Sequence, residues 1–520
     1  MNDGCIKQHK LSKVERVHLA RLRSPLINAL STWLNRRFSC AHCKQCARRC
    51  EVLSLAALDV GSIEADFEPI VALESASQPA AVLRLAQERP ELYNALRQCC
   101  FCGHCTAFCA VQMAAPARMR EWRESFMQAG LMPPADSRLV MVDNEWHIFS
   151  AYRAIYEVAY PEFLQLHDVG TSNACHTLDA HAESGSGNLD GEHACNTQVS
   201  EATLVDTLFF PGCSLVSYAP ALMRRIGWWL DSAGYHWAMS SACCGSPLMS
   251  AGLFERSQTL RWQLLEQVRA AGIKRILTVC PGCGEELAEV MGDEVDIVPL
   301  PELLVEHFVA NSRDMPTTDV MAEVKGSAGC AKAARDTSNI STRAHLTSRA
   351  PDDKERRRKA NQSTSALEQE AVQNAPASIT FFDSCHDRSD TRHGRAVRKL
   401  LELCLPETTQ LEMEHHGKNT LCCGAGGAVA SYDAALTQRR VWRVIDEAQK
   451  TTANTLVTTC PTCTYTIAQA LLSAGSEQAI ASHNYLELVF GQSINWAVVF
   501  SQLEEMWTGE YGPWLAETFF

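Results

Sequence analysis

The sequence predicts a multidomain α+β protein, in which a mainly helical N-terminal block precedes two copies of one α/β unit. Three observations carry this. The 520 residues suffice for roughly three to four domains, and 46% hydrophobic with 21% charged residues is ordinary for packed cores. One plan of strand, turn and helix occurs twice. Two stretches without apolar periodicity, 168–202 and 311–377, separate three blocks and read as flexible segments.

Taken in order, the first block places helices at Val14–Arg37, Ala80–Arg97 and Ala117–Ala129, with cysteine clusters between them. The second block opens with the short apolar strand Leu204–Phe210, then a Cys-bearing turn and a helix over Tyr218–Ala233. A Cys-Cys-Gly turn, a helix over Leu253–Ala271, the strand Arg275–Val279 and a Cys-Pro-Gly-Cys helix start follow. The third block repeats this from the strand Ile379–Phe382, through helices near Gly394–Cys404 and Tyr432–Lys450, to the strand Thr455–Thr459. Short apolar strands alternating with amphipathic helices argue for parallel sheets. The match of Leu277-Thr-Val-Cys-Pro-Gly-Cys283 with Val457-Thr-Thr-Cys-Pro-Thr-Cys463 marks the two blocks as a duplication.

Charge excludes some functions. The net charge is −13, yet residues 1–50 hold eleven Lys/Arg against only Asp3 and Glu15. A nucleic-acid binder spreads a basic face over its folded domains, and this chain does not. Leu19–Leu34 is an amphipathic basic stretch that suits an anionic membrane face or a partner, or a helix packed on its own block. No stretch has the roughly 20 apolar residues of a membrane-spanning helix, and residues 1–38 lack a secretion signal's apolar core. The expected location is cytoplasmic, peripheral on the inner face of the membrane. The aromatic C-terminus, with Trp507, Tyr511, Trp514, Phe519 and Phe520, suits either a contact between subunits or core.

Cysteine is the abnormal residue, at 24. In a large chain without an export signal, metal ligation is a better reading than disulfides. The first block contains Cys40-x2-Cys43-x2-Cys46-x3-Cys50 and Cys99-x2-Cys102-x2-Cys105-x3-Cys109. Three thiolates so spaced wrap one iron–sulfur cube, while the fourth ligates the neighbouring cluster. The implied sets are Cys40, Cys43, Cys46 and Cys109 for one 4Fe–4S cluster, and Cys99, Cys102, Cys105 and Cys50 for the other. Zinc is the alternative, but its sites favour two Cys-x2-Cys pairs. Glu51 and Ala110 stand where Pro commonly follows the fourth cysteine, and 48 helix-like residues separate the motifs. The block therefore reads as a helical dicluster ferredoxin.

Each copy of the α/β unit carries five cysteines: Cys213, Cys243, Cys244, Cys280 and Cys283 in the first; Cys385, Cys422, Cys423, Cys460 and Cys463 in the second. Five thiolates exceed a simple cube's needs, so a cluster with an extra or bridging thiolate is implied. All ten fall at strand ends or helix starts, the ligand-binding edge of an α/β sheet. Helix N–H groups there favour thiolates, and Gly245 and Gly424 let the backbone pass close to a metal. Gly424-Ala-Gly-Gly427 lacks a G-x-G-x-x-G fingerprint, and no flavin or nicotinamide site is visible. His386 is a candidate proton donor, as are His415 and His416, against a plain reading as hydrogen-bonded histidines. Of the remaining cysteines, Cys404 reads as core filling, while Cys175, Cys195 and Cys330 lie in the flexible stretches. Cys5 and Cys100 are given no role.

The order Cys, Cys-Cys-Gly, Cys-x-x-Cys, with gaps of 29 and 35 residues in one copy and 36 and 36 in the other, resembles the CCG (cysteine-rich domain) family of the heterodisulfide reductase catalytic subunit. A dicluster ferredoxin ahead of two such domains is similar to the D-type subunit of heterodisulfide reductase and to the C-type subunit of anaerobic glycerol-3-phosphate dehydrogenase. The resemblance implies two cubane clusters and up to two noncubane 4Fe–4S clusters. It implies disulfide/thiol redox catalysis or, alternatively, a non-catalytic electron-transfer subunit that couples a dehydrogenase to a membrane quinone or cytochrome b partner. The implied partners are a membrane cytochrome b or quinone-reactive subunit, or a dehydrogenase subunit. The expected organisation is a basic segment (1–38), ferredoxin domain (39–167), insertion (168–202), first CCG domain (203–310), linker (311–377), second CCG domain (378–500) and aromatic tail (501–520).

Overall fold

A computed structural model describes residues 40–111, 113–131, 138–160, 165–166, 205–311, 375–475 and 480–520. The basic stretch 19–34, almost all of the two aperiodic segments, and Cys5, Cys175, Cys195 and Cys330 lie outside the described residues.

The first block is helical: α1 (Gln45–Arg49), α2 (Glu51–Leu55), α3 (Val60–Val71), α4 (Gln78–Glu88), α5 (Pro90–Arg97), α6 (His104–Ala107) and α7 (Ala115–Gln128). The single helix expected over Ala80–Arg97 is two. Pro90 has no N–H to continue α4 and starts α5 at its first position. Helix α3 begins on a capping box in which Asp59 accepts from Ser62 N at 2.8 Å. Leu53, Ile63, Phe67, Leu92, Leu96 and Phe126 form this block's core.

Helix α8 (Ile148–Ile155) belongs elsewhere: Ala151, Tyr152 and Tyr160 pack into the core of the α/β copies. Strand β1 (Gln165–Leu166) pairs with the first copy's sheet.

The first copy comprises β2 (Thr207–Phe210), α9 (Cys213–Tyr218), α10 (Pro220–Ser232), β3 (Trp237–Ser240), α11 (Ser246–Ala251), α12 (Phe254–Ala270), β4 (Arg275–Thr278), α13 (Pro281–Met291), β5 (Asp296–Pro299) and α14 (Leu300–Asn311). The second comprises β6 (Ser378–Phe382), α15 (Arg392–Cys404), β7 (Thr409–Leu411), α16 (Val429–Tyr432), α17 (Ala434–Lys450), β8 (Thr455–Thr458), α18 (Pro461–Ala474), β9 (Ala481–Asn484) and α19 (Tyr485–Phe490). Every strand pair is parallel, and the sheet orders are β1-β3-β2-β4-β5 and β7-β6-β8-β9. Without β1 the two orders are the same. In each sheet the chain leaves the central strand (β2, β6) to one side and returns on the other, which opens a crevice at the strands' C-terminal ends.

The copies are fused through one core. Helices α14 and α15 pack side by side, and Trp229, Phe308, Leu400, Leu401 and Phe490 share one buried cluster. The C-terminal helices α20 (Trp496–Thr508) and α21 (Gly512–Phe519) join it, with Tyr152 Oη donating to Gln502 Oε1 at 2.6 Å. The aromatic tail packs on this core except for the exposed Phe520: Trp514 meets Trp146 at 5.1 Å and Trp507 meets the buried Phe519 at 6.2 Å.

Candidate metal centre

Parallel sheets deliver the ten cysteines of the copies to one edge. Cys213 opens α9 after β2; Cys243 and Cys244 fill the turn from β3 to α11. Cys280 is the N-cap of α13 after β4, and Cys283 sits in that helix's first turn. In the second copy Cys460 and Cys463 hold the same places on α18, and Cys385 follows β6. The glycines after the Cys-Cys pairs take φ +83° at Gly245 and φ +86° at Gly424, a left-handed conformation that favours glycine.

None of the twenty described cysteines is in a disulfide. In the first copy they form a line: Cys213 Sγ is 4.0 Å from Cys243 Sγ, Cys243 contacts Cys244, Cys244 contacts Cys283, and Cys283 contacts Cys280. In the second copy the line is interrupted. Cys385 contacts Cys422, while Cys423 Sγ lies 3.4 Å from Cys463 Sγ, which contacts Cys460. Thiols from outside continue both pieces: Cys422 meets Cys100 and Cys102 of the first block, and Cys460 meets Cys280 of the first copy.

The first block's eight motif cysteines sort into two cavities. One of about 90 Å³ is lined by Cys50, Cys99, Cys102 and Cys105, together with Cys100 and Cys422. The other, of about 20 Å³, is lined by Cys40, Cys43, Cys46 and Cys109, with Cys105 on the shared wall.

These thiols suit a polycationic centre. Cys244, Cys422 and Cys460 are pulled well below the usual thiol range because neighbouring thiols donate hydrogen bonds to each. Burial pushes Cys105 up, as do the charges of Cys99 and Cys50. So many buried thiols cannot ionise together without a metal to take their charge. Iron–sulfur clusters meet that demand with thiolate ligands.

Sequence reasoning missed the arginines around the thiols. Arg123 on α7 is fully buried and donates to five carbonyls: Leu96, Arg97 (3.2 Å), Cys99 (2.8 Å), Ser250 (2.7 Å) and Gly427 (2.6 Å). It ties the helical block to both copies. Arg388 donates to Cys102 O at 3.1 Å and Thr420 O at 2.7 Å, a second tie to the second copy. Arg261 on α12 donates to Cys244 O at 2.9 Å and is paired with the buried Glu286. Arg440 on α17 donates to Cys100 Sγ at 2.6 Å. One signal was legible: Arg261 and Arg440 each stand sixteen residues after the glycine of their Cys-Cys-Gly turn.

His386 lies between the copies, its Nδ1 2.6 Å from Glu285 on α13. Burial disfavours its charged form, but the hydrogen bond and charge of Glu285 outweigh this and raise its pKa to about 9. His415 Nδ1 is 2.9 Å from Glu447 and His416 Nδ1 is 2.8 Å from Met413 O, so both are hydrogen-bonded away from the thiols. Cys404 is buried in the shared core. No helix among the described residues is long and apolar enough to cross a membrane.

With this geometry in place, the comparisons agree in kind. The profile of the cysteine-rich domain (CCG) family matches the chain twice, over residues 207–288 and 379–468. The chain is 23% identical over 233 residues to an uncharacterized iron-sulfur protein of Methanococcus maripaludis, an alignment covering 45% of this chain. The same alignment covers 34% of that relative, so the chain spans about a third of its length. The two α/β units are cysteine-rich domains of the CCG type.

Proposed function

We propose that this chain is the electron-carrying iron–sulfur subunit of an oxidoreductase. Two 4Fe–4S clusters sit in the N-terminal cavities, CCG-type clusters sit in the two copies, and a disulfide is reduced or formed at the paired copies. The observation that carries the reading is a series of thiol groups that reaches from the helical block to the first copy, with one break in the second copy between Cys422 and its chain neighbour Cys423. It passes from Cys40 through the shared wall at Cys105, across Cys102 and Cys422 into the second copy, and across Cys460 and Cys280 into the first. When bound, iron–sulfur clusters supply one-electron steps at potentials tuned by charge, hydrogen bonding and burial.

This chain's own residues do the rest. Thiols in contact bring successive sites close together. Arg123 and Arg388 fix the helical block on the copies, so that spacing is held rigid. Reducing a disulfide takes two electrons and two protons and yields two thiols. The electrons come from a dehydrogenase subunit or a membrane cytochrome b or quinone-reactive subunit. His386, between Cys385 and the charge of Cys460, is positioned to give a proton to a product thiolate. Peripheral membrane docking through residues 1–34 belongs to the same proposal.

The test is oxidation of the anaerobically reduced full chain by small disulfides, followed by visible absorbance and by thiol release. Two thiols released per two electrons lost is the expected result. No reaction with any disulfide, while electrons still pass to an artificial acceptor, would leave a non-catalytic relay between a dehydrogenase and a membrane partner.

A further inference from the structure

The two copies place an arginine beside their thiols with opposite electrostatic outcomes. In the first, Arg261 is matched by carboxylates: Glu286 is buried with it, Glu289 lies 3.3 Å away, and Arg120 shares Glu286 at 3.2 Å. Both carboxylates come from α13, three and six residues after Cys283. The corresponding positions after Cys463 on α18 are Thr466 and Gln469. The second copy has no carboxylate at either position.

Arg440 keeps its charge beside sulfur. Its side chain is 13% exposed, and it donates to Cys100 Sγ at 2.6 Å. Its nearest carboxylate, Glu51, is 3.9 Å away, beyond hydrogen-bond distance, and also faces Arg439 at 3.4 Å. The direction of the side chain follows from helix geometry. The hydroxyl anchoring each helix to its Cys-Cys-Gly turn is Ser257 in one copy and Thr437 in the other, donating to Gly245 O and Gly424 O. Arg261 comes four residues after its anchor but Arg440 only three, a difference of roughly 100° around the helix. That turn points Arg440 out of its own copy and into the cavity shared by Cys50, Cys99, Cys102, Cys105 and Cys422. Its charge acts on Cys100, Cys422, Cys102 and Cys50 together.

We propose that Arg440 is a positioning residue for electrons: it holds the iron–sulfur sites at the seam between the helical block and the second copy at a higher reduction potential than the charge-neutralised site of the first copy. A nearby cation stabilises the more negative, reduced form of a cluster, and a water-poor seam screens that attraction weakly. The seam is then where electrons collect before moving on. This inference rests on the iron–sulfur reading proposed above.

The experiment is a redox titration of the anaerobically prepared full chain, read by EPR, with iron measured on the same samples. Arg440→Gln is expected to shift one signal to lower potential with iron retained, and Arg440→Lys to restore most of that shift. Glu51→Gln, which removes the carboxylate 3.9 Å from Arg440 in the same cavity, is expected to raise the same signal with Arg440 in place. Glu286→Gln is expected to raise a different signal, that of the first copy. An iron-replete Arg440→Gln protein with every potential unchanged overturns the proposal. So does a lysine variant that shifts as far as the glutamine one. If Arg440→Gln loses iron, Glu51→Gln decides, and an unchanged seam signal there overturns the proposal as well. A wild-type protein without iron refutes the proposed function instead, so the two failures are distinct.

Discussion

The two CCG copies share a cysteine pattern, a parallel sheet order and a crevice, yet they occupy different positions in the molecule. The first copy's five thiols touch one another in an unbroken line. The second copy's five fall into two groups, each completed by a neighbour's sulfur. The turns after Cys-Cys-Gly diverge to match. Gly245 leads into α11, where Leu248 is buried in its own copy's core. In the second copy Gly427 holds the place of Leu248, and a Cβ there would lie 2.1 Å from Cys99 O. Bare backbone at Gly426 and Gly427 is what lets the helical block come so near. The two sites are alike in sequence, and their contacts place the second copy's thiols between those of the helical block and those of the first copy.

If the series is right, cutting it in the middle is worse than cutting it at the end. Cys422→Ala is expected to remove about a quarter of the bound iron and to stop electrons from the N-terminal clusters reaching either copy. Cys213→Ala is expected to affect the first copy alone. Iron analysis with stopped-flow reduction of the two variants checks this, and equal defects would break the comparison.

Holding the series together is the next largest effect. Arg123→Met leaves buried carbonyls of all three parts without a donor and is expected to cost roughly 3–5 kcal/mol in chemical denaturation. A loss below about 1 kcal/mol, within the range of ordinary surface changes, would show that Arg123 does not join them. Gly427→Ala combines a clash with φ +64° and is expected to cost about 2–3 kcal/mol. Gly234→Ala in the first copy, at φ +78° with nothing within 4 Å, is expected to cost only about 1 kcal/mol. The difference between the two isolates the close approach from the backbone strain.

The smallest effect serves as the control. Cys404→Val, in the core shared by both copies, is expected to leave iron content and every potential unchanged and to cost less than about 1.5 kcal/mol. Loss of iron in that variant would place a ligand where the structure has packing.

The legible part of this architecture was local. In the two copies most motif cysteines were readable at a strand end or helix start, because a strand, a tight turn and a helix N-terminus are all encoded within a dozen residues; Cys422 and Cys423 instead lie in the loop between Leu411 and Val429. The central strands β2, β4, β6 and β8 were readable as short apolar runs, being buried on both faces. The edge strands β7 and β9 were not, since Thr409–Leu411 and Ala481–Asn484 are partly exposed and carry no apolar run. Long-range features were also hidden. Nothing near Cys280 announces Cys460, and nothing near Cys100 announces Arg440, because each pair meets only through packing of separate domains. The position of Tyr152 and Tyr160 in the copies' core, instead of with the helical block, was lost for the same reason.

The most direct test of the central claim is metal and acid-labile sulfide analysis of the full chain purified without oxygen. Four 4Fe–4S clusters predict a brown protein with roughly sixteen iron and sixteen sulfide per chain and no stoichiometric zinc. A colourless protein that carries zinc and no labile sulfide would contradict it.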